Sequence, residues 1–320
     1  FTNSGTEATL NTIRAARAFT GKNKFAKVEG GYHGTHDAVT VSVRVDIQKA
    51  GDAQQPTPVA ASEGLPFGIL DQVVVIPFND TSAARRVLED NKDELAAVIV
   101  EPVMGSVGMI PGTAEFLTML REFTQEHGIV LIFDEVISFR VAPGGSQQYY
   151  GITPDMTSLG KVIGGGFAVG AFGGRQDIME LYDPTKGAKV SHAGTFNANP
   201  VTMLAGSVTL EHLTPEVYRD LAELTEELRQ GIRRVCSESE VPVQVTGLGS
   251  LFGIHFTAEP VKNYRDITTE DTQLRNQVFL GLMNEGILMA SNLVGALSTV
   301  MDGTEVDTFL NAFRKVLERR

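Results

Sequence analysis

The sequence predicts an α/β fold built on a mostly parallel sheet. Three short apolar runs rich in β-branched residues occur at 73–76, 96–100 and 129–133. The segments between them have helical spacing and mixed charge, so strands and helices alternate, as they do in parallel sheets. Because the runs are continuously apolar, we expect helices to cover both faces of the sheet. Ligands of such sheets gather at the carboxyl ends of the strands.

Two domains are expected from the 320 residues. Residues 215–235 predict a long charged helix with one apolar stripe, and we place the domain change just before it. The prediction is a large domain at 1–212 and a smaller C-terminal α+β domain at 213–320, which includes this linking helix. A second striped helix at 305–318 closes the small domain. Residues 54–67 contain three prolines and predict an exposed loop.

Composition excludes several classes of partner. The net charge of -12 repels phosphate backbones and no basic stripe overrides it, so we expect no nucleic acid. No apolar run reaches the roughly 18 residues that span a bilayer, and the first residues do not resemble a leader, so we expect no membrane contact. Cys236 is the only cysteine, which excludes an intramolecular disulfide and zinc-cysteine clusters. We therefore expect a cytoplasmic protein without a structural metal.

The first residues predict the start of a helix. Ser4 and Glu7 have the spacing of a capping box, in which the serine accepts from a first-turn amide and the glutamate reaches back to the cap. The unpaired amides and the helix dipole make such a start an anion site, and Gly5 and Thr6 suit the approach of a phosphate. A plain cap that binds nothing is the alternative. Residues 194–200, Gly-Thr-Phe-Asn-Ala-Asn-Pro, are a second phosphate candidate.

A glycine-rich turn, Gly-Gly-Tyr-His-Gly, stands at 30–34. Tyr32 is suited to lie over a flat cofactor ring. His33 is either a base or, as isolated histidines more often are, a structural hydrogen-bonding group. Neither His33 nor His36 has the acidic or cysteine companions of a metal site, so no metal is predicted here.

A carboxylate and a lysine carry the predicted chemistry. The apolar run at 129–133 ends in Asp134, and Lys161 lies in a later segment rich in glycine. A lysine amine condenses with an aldehyde cofactor, and a carboxylate keeps a pyridine nitrogen protonated, so the pair predicts lysine-bound pyridoxal phosphate. Asp155 and Arg175 are expected to brace the lysine loop rather than to react.

Nucleotide hydrolysis is the competing interpretation of the strand that ends in Asp134. An apolar strand followed by Asp-Glu also describes a Walker B segment. The phosphate loop that accompanies it, Gly-x-x-x-x-Gly-Lys-Ser/Thr, is absent from the sequence. We therefore place the ATPase interpretation last.

Six motifs follow one another along the chain. They are Asn-Ser-Gly-Thr-Glu-Ala at 3–8, Gly-Tyr-His-Gly at 31–34, Val-Glu-Pro-Val at 100–103, Phe-Asp-Glu-Val at 133–136, Leu-Gly-Lys at 159–161 and Gly-Thr-Phe at 194–196. In this order they resemble class III aminotransferases, and the resemblance covers most of the chain. Within that family the sequence is most similar to the glutamate-1-semialdehyde aminomutase group and its related aminotransferases. The resemblance implies fold type I and dependence on pyridoxal phosphate.

The resemblance also implies a role for each motif. Lys161 would form the Schiff base with the cofactor and then move a proton between substrate and cofactor. Asp134 would pair with the pyridine nitrogen, and Val136 would pack beneath the ring that Tyr32 covers. Thr195 would reach the phosphate of the neighbouring subunit, which implies a homodimer with shared active sites. The cofactor-binding residues implied in this way are Ser4, Gly5, Thr6, Tyr32, His33, Glu101, Asp134, Val136, Lys161 and Thr195, with Lys161 and Asp134 catalytic.

Departures from the aminomutase pattern favour transfer between two molecules. Aminomutases carry an acidic residue in a late loop where this chain has Ala-Ser-Asn-Leu-Val-Gly-Ala-Leu at 290–297, and their Gly-Thr-Leu-Ser-Gly-Asn-Pro differs from residues 194–200. Residues 135–140 are one residue short of the family pattern. We therefore expect an aminotransferase that moves an amino group from an amine or amino acid to an oxo acid, aldehyde or ketone.

Two alternatives remain beside this expectation. Glutamate-1-semialdehyde 2,1-aminomutase, an isomerase, is the first. The family also has a long segment before the Ser-Gly-Thr motif, whereas the motif here begins within the first residues. That difference motivates a third hypothesis, a remnant that binds the cofactor without catalysing turnover.

Overall fold

The computed structural model describes residues 1–319, which form two compact units. The first unit comprises Phe1–Pro102, Gly112–Phe139 and Gly144–His212. The second comprises Val103–Pro111, Arg140–Pro143 and the chain from Leu213 onward. No sequence signal indicated that the two short segments at 103–111 and 140–143 would group with the later part of the chain.

Helices and strands alternate through the first unit and are mixed in the second. The helices are α1 Gly5–Thr20, α2 Thr81–Asn91, α3 Ala114–Glu126, α4 Gly145–Tyr150, α5 Gln176–Met179, α6 Pro200–His212, α7 Pro215–Glu238, α8 Tyr264–Ile267, α9 Thr272–Asn284 and α10 Gly303–Glu318. The strands are β1 Lys24–Val28, β2 Gly51–Asp52, β3 Gln55–Pro56, β4 Val73–Ile76, β5 Leu95–Val100, β6 Val103–Met104, β7 Ile110–Pro111, β8 Val130–Asp134, β9 Met156–Gly160, β10 Gly170–Gly174, β11 Gln244–Thr246, β12 Leu251–His255 and β13 Val294–Ala296.

The first unit contains a six-stranded sheet in the order β10-β9-β8-β5-β1-β4. Five strands are parallel, and β10 pairs antiparallel with β9 at one edge. The three apolar runs of the sequence are β4, β5 and β8, and every residue of these strands is buried. Helices therefore cover both faces, as continuous apolar runs predict. The prediction of an α/β fold with a mostly parallel sheet is confirmed.

The parallel strands present their carboxyl ends at one edge of this sheet. There β1 leads into Glu29, β5 leads into Glu101, β8 ends at Asp134, and β9 leads directly into Lys161. In open α/β sheets this edge is where ligands bind. The chemistry-bearing motifs of the sequence therefore converge at one place.

The second unit contains an antiparallel sheet, β11-β12-β13, and the two striped helices. On α7 the side chains of Leu221, Leu228 and Ile232 are buried, and Phe313 of α10 packs in the same apolar core. The charged faces of both helices remain exposed. The apolar stripe predicted on each helix therefore packs in the core of this unit.

The segment expected to be an exposed loop, 54–67, is partly anchored. Most of it is exposed, and Phe67 is completely so. Its start, however, forms β3, which pairs with β2, and Ala60 forms a bridge with Val41. The prolines prevent a long strand but permit these two short pairings.

Two features are absent from residues 1–319. No helix there has the combination of length and apolar character needed to span a membrane. In the same residues no three histidine, cysteine, aspartate or glutamate side chains are grouped as ligands of a metal ion.

Candidate active site

The strand ends and the start of α1 line a cavity of about 300 Å³ in the first unit. Eight of the ten residues that the sequence analysis singled out contact it: Gly5, Thr6, Tyr32, His33, Glu101, Asp134, Val136 and Lys161. Ser4 and Thr195 do not. Other residues of the wall were not predicted as site residues: Asn3, Gly34, Ile137 and residues 167–169. Most of these are apolar or small, and only their place in the fold distinguishes them from ordinary core residues.

Lys161 begins a single 3-10 turn, Lys161–Gly164, directly after β9. Its φ of 50° lies in the left-handed region, which is uncommon for a residue with a side chain. Such conformations persist only where the surrounding structure holds them, and they cluster at functional sites. The turn of Lys161 is therefore a held conformation rather than a relaxed loop.

Helix α6 holds this turn from behind through two close backbone approaches. A Cβ atom on Gly206 would lie 2.1 Å from the carbonyl oxygen of Ile163. A Cβ atom on Gly165, whose φ is 58°, would lie 2.3 Å from the carbonyl oxygen of Ala205. Both contacts involve backbone atoms, so neither can be relieved by moving a side chain. Glycine is required at both positions for the turn to keep its place.

Replacement of Gly206 by alanine should therefore displace the Lys161 turn. We expect a loss of about 1–3 kcal/mol in the free energy of unfolding, the usual cost of overpacking a core, and weaker binding of pyridoxal phosphate, the cofactor that the family resemblance implies. Denaturant unfolding and cofactor titration would measure both effects. The control is Ser207→Ala on the exposed side of the same helix. If both variants unfold alike, the close approach does not hold the turn.

Asp134 and His33 form a buried pair at the base of the cavity. His33 Nδ1 lies 2.8 Å from Asp134 Oδ2, and Asp134 Oδ1 accepts from the backbone N–H of Val136 at 3.2 Å. An ionised carboxylate only accepts hydrogen bonds, so the imidazole donates through Nδ1. Burial lowers the pKa of His33, and the bond to Asp134 opposes this shift only in part. A neutral His33 therefore holds Asp134, and it is not free to act as a base through Nδ1.

The glycine-rich turn carries Tyr32 to the cavity wall. The backbone N–H of Tyr32 donates to Glu101 Oε1 at 2.8 Å, and Thr9 Oγ1 donates to the carbonyl oxygen of His33 at 2.6 Å. Gly34 has a φ of 99°, and a Cβ atom there would lie 2.5 Å from Thr6 Oγ1. The turn is thus fixed both to the end of β5 and to the first turns of α1.

The capping box at the start of α1 is only half formed. Ser4 Oγ accepts from the N–H of Glu7, as predicted, but the Glu7 carboxylate accepts from the N–H of Asn3 and not from that of Ser4. A Cβ atom on Gly5 would lie 3.0 Å from both γ carbons of Val136. Glycine therefore lets the helix start approach the cavity floor, where first-turn amides suit an anion.

Glu135 has a role separate from that of Asp134. Its carboxylate is fully buried and accepts from the backbone N–H groups of Ser146 and Gln147 at the start of α4. Burial raises the pKa of Glu135, although these hydrogen bonds oppose the shift. The two carboxylates at the end of the strand thus have different roles: Asp134 lines the cavity, and Glu135 caps α4.

The remaining predicted residues lie outside the cavity. Ser4 caps α1, and Thr195 lies on an exposed segment before α6. Asn197 Oδ1 in that segment accepts from Asn3 Nδ2 at 2.8 Å, which ties the segment to the first motif. Asp155 forms salt bridges with Arg175 and with Arg121, each at 3.0 Å. The sequence had indicated Asp155 and Arg175, and Arg121 is an additional partner.

Comparison with known proteins identifies the family. The profile of the family described as aminotransferase class-III matches residues 1–317. The chain belongs to the class III aminotransferases. It is 41% identical over 320 residues to the glutamate-1-semialdehyde 2,1-aminomutase of Methanothermobacter thermautotrophicus, covering 99% of this chain and 74% of that protein. Membership makes the chain a fold type I enzyme whose cofactor is pyridoxal phosphate.

Two solved structures extend the comparison. An omega-transaminase from Sphaerobacter thermophilus is 46% identical and superposes with a TM-score of 0.95, covering 99% of this chain and 73% of that one. A glutamate-1-semialdehyde aminomutase from Pseudomonas aeruginosa PAO1 is 26% identical with a TM-score of 0.86, covering 99% and 70%. The chain thus spans roughly three quarters of the length of these relatives.

The side chains of the cavity fit pyridoxal phosphate. The cavity combines a primary amine at Lys161, a buried carboxylate at Asp134, an aromatic ring at Tyr32 and a glycine-bearing helix start at Gly5. The amine suits the aldehyde of the cofactor, and the carboxylate suits its pyridine nitrogen. The aromatic ring suits its flat ring, and the helix start suits its phosphate. Asp134 is already held by His33, while Lys161 has an exposed side chain.

Proposed function

We propose that this enzyme transfers an amino group from an amine or amino acid to an oxo acid, aldehyde or ketone. The observation that carries the proposal is the convergence of Lys161 and the Asp134–His33 pair on one cavity at the carboxyl edge of the sheet. We also propose a cytoplasmic location, which the single cysteine of the sequence supports.

Each side chain has a defined task in this proposal. Pyridoxal phosphate supplies an aldehyde that condenses with amines and a π system that takes up the electron pair left when a substrate C–H bond breaks. Lys161 would hold the cofactor through its aldehyde carbon, with release of water, and its free amine would carry the proton between carbons of substrate and cofactor. Asp134, which His33 holds in place, would keep the pyridine nitrogen of the cofactor protonated.

The other residues bind and orient. Tyr32 and Val136 both line the cavity, where Tyr32 would cover one face of the cofactor ring and Val136 would support the other. Gly5 and Thr6, at the positive end of the α1 dipole, would hold the phosphate, while Ser4 caps the same helix start. Glu101 acts through the backbone of Tyr32, to which it is hydrogen bonded. These contacts would keep the cofactor bound when the substrate amine takes the place of the Lys161 amine.

Intermolecular transfer is favoured over isomerisation. Identity to the omega-transaminase structure is 46%, against 26% for the aminomutase structure. Residues 290–297 contain no carboxylate, although aminomutases have one in this loop. The 41% identity to an aminomutase keeps isomerisation as the second candidate. A remnant without turnover is the third.

A donor and acceptor panel tests these three candidates. Purified protein loaded with pyridoxal phosphate is incubated with amines or amino acids, with and without pyruvate. Amino transfer predicts that donors alone change the visible absorbance and that alanine forms only when pyruvate is present. Aminomutase activity predicts conversion of glutamate-1-semialdehyde without a second substrate. A stable visible band with no product across the panel would overturn both and support the remnant.

Class III aminotransferases are typically dimeric, and we infer that this chain pairs through α6 with Thr195 reaching the phosphate of its partner. On α6, Val201, Leu204 and Val208 form an apolar stripe, and Leu204 is 68% exposed. Phe196, next to Thr195, is 71% exposed. Contiguous apolar surface of this kind is typical of interfaces. A second copy would cover it and bring Thr195 to a shared site.

Replacement of Leu204 by glutamate should break this dimer. A charge in an apolar interface loses its water without gaining a partner, so we expect monomers and a cofactor dissociation constant at least about tenfold higher. Light scattering after size exclusion and cofactor titration would measure the two effects. The matched control is Leu280→Glu, the same change at an exposed leucine of α9. A dimeric Leu204→Glu variant would refute the assignment of this surface.

A further inference from the structure

A lysine is buried on β1 behind the cavity. Lys27 is 0% exposed, and its neighbours in the strand, Phe25, Ala26 and Val28, are also buried. Its Nζ donates to the carbonyl oxygen of Gly31 at 2.8 Å and to that of Val41 at 2.6 Å. Burial of an amine costs free energy that an apolar side chain would not incur. Packing alone therefore does not account for lysine at this position.

The peptide group between Gly31 and Tyr32 is bound from both ends. Its carbonyl oxygen accepts from Lys27, and its N–H donates to Glu101 Oε1 at 2.8 Å. Glu101 is itself buried, and its charge attracts the Lys27 amine. An amine and a carboxylate that attract each other therefore hold one peptide between them. The side chain that follows this peptide is Tyr32.

The turn leaves this peptide little room to move. A Cβ atom on Gly31 would lie 3.0 Å from a γ carbon of Val28 and 3.2 Å from Nε2 of His33. Rotation of the peptide about its flanking bonds would break both hydrogen bonds at once. The orientation of the Tyr32 ring is thus coupled to the Lys27 side chain.

The hydrogen bonds of Lys27 do not depend on its charge. Burial lowers the pKa of Lys27 to about 7, because loss of water disfavours the ammonium, while Glu101 and Glu29 oppose the shift. The ammonium has three N–H donors and the neutral amine has two, and only two acceptors must be satisfied. Lys27 therefore holds the Gly31–Tyr32 peptide both below and above neutral pH. When charged, Lys27 also contributes to the lowered pKa of His33.

We propose that Lys27 is a positioning residue that, together with Glu101, locks the Gly31–Tyr32 peptide and so fixes the ring of Tyr32 over the cofactor. Lys27 does not touch the reacting atoms. The role rests on the proposed function only in that the flat group under Tyr32 is pyridoxal phosphate. The lock itself is a property of the chain without cofactor and can be measured there.

Hydrogen exchange tests the lock without any reaction. Lys27→Met keeps an unbranched apolar stem and removes the donor. We expect the amides of residues 30–35 to exchange about tenfold faster in this variant, while those of β8 change little. Val75→Ala, which truncates the strand partner of Lys27, is the control for general loosening of the sheet. Equal exchange at 30–35 in wild type and Lys27→Met, or the same pattern in both variants, would overturn the lock.

A double-mutant cycle tests the link to Tyr32. Lys27→Met should raise the dissociation constant of pyridoxal phosphate about tenfold in the wild-type background and less than about threefold in Tyr32→Ala, because a positioning effect needs the ring it positions. The visible circular dichroism of bound cofactor should change in parallel. Equal losses in both backgrounds would overturn positioning.

A second variant guards against misfolding. Lys27→Gln keeps a neutral donor on a shorter stem and should give an intermediate effect on both exchange and cofactor binding. If it instead keeps wild-type exchange at residues 30–35 but binds pyridoxal phosphate as weakly as Lys27→Met does, the loss of binding does not come from the lock and the proposal is wrong. Wild-type protein that binds no pyridoxal phosphate would refute the proposed function, and the exchange of residues 30–35 would still decide the lock.

Discussion

The Lys161→Ala variant is expected to lose amino transfer by at least about 10³-fold in kcat while it still binds pyridoxal phosphate. The loss combines two tasks of one amine, covalent capture of the aldehyde and movement of the substrate proton, and removal of a positioned acid-base group alone costs about 10²–10⁴-fold. The phosphate and ring contacts at Gly5, Thr6 and Tyr32 remain. Steady-state rates and visible absorbance during cofactor titration would measure turnover and binding separately.

Two further variants make the Lys161 result specific. Lys49→Ala removes an exposed lysine of the same unit and should leave both kcat and absorbance unchanged. Lys161→Arg keeps a positive charge but lacks a nucleophilic amine, so it should behave as Lys161→Ala does. Retention of kcat within about tenfold in Lys161→Ala would contradict the covalent role, and with it the assignment of the cavity.

Local sequence patterns predicted the elements that carry the site. Continuous apolar runs gave the positions of β4, β5 and β8, because burial on both faces leaves no room for alternation. The convergence of Asp134 and Lys161 followed from the geometry of parallel strands, whose carboxyl ends meet at one edge. The roles of Glu101, Val136 and Thr195, in contrast, were predicted only through the resemblance to class III aminotransferases.

Contacts between distant segments could not be predicted from the sequence. The bond from His33 to Asp134 joins residues 101 positions apart, and nothing in either motif indicates it. Glu7 also binds Asn3 instead of completing the predicted capping box. Lys27 was the one missed residue with a local signal, since a lysine in the middle of a buried strand requires internal partners. Such a lysine is a useful sign to follow in other sequences.

Asp134→Asn is expected to lower kcat/KM about 10²–10³-fold, the usual cost of removing a preorganised charge that stabilises a transition state. Asparagine keeps the shape of the side chain but loses the charge that favours a protonated pyridine nitrogen. His33→Ala should cost less, about tenfold, because the carboxylate remains and still accepts a hydrogen bond from the N–H of Val136. Rates and the visible spectrum of bound cofactor would measure both variants.

Glu135→Gln is the matched control for Asp134→Asn, since it makes the same change at the adjacent carboxylate. Glu135 caps α4 through Ser146 and Gln147, so its loss should reduce the free energy of unfolding by about 1–3 kcal/mol. The spectrum of bound cofactor should not change, because Glu135 does not line the cavity. If Glu135→Gln alters that spectrum as much as Asp134→Asn does, the charge at Asp134 has no specific role. The two carboxylates then act together, and the division between cavity and helix cap is wrong.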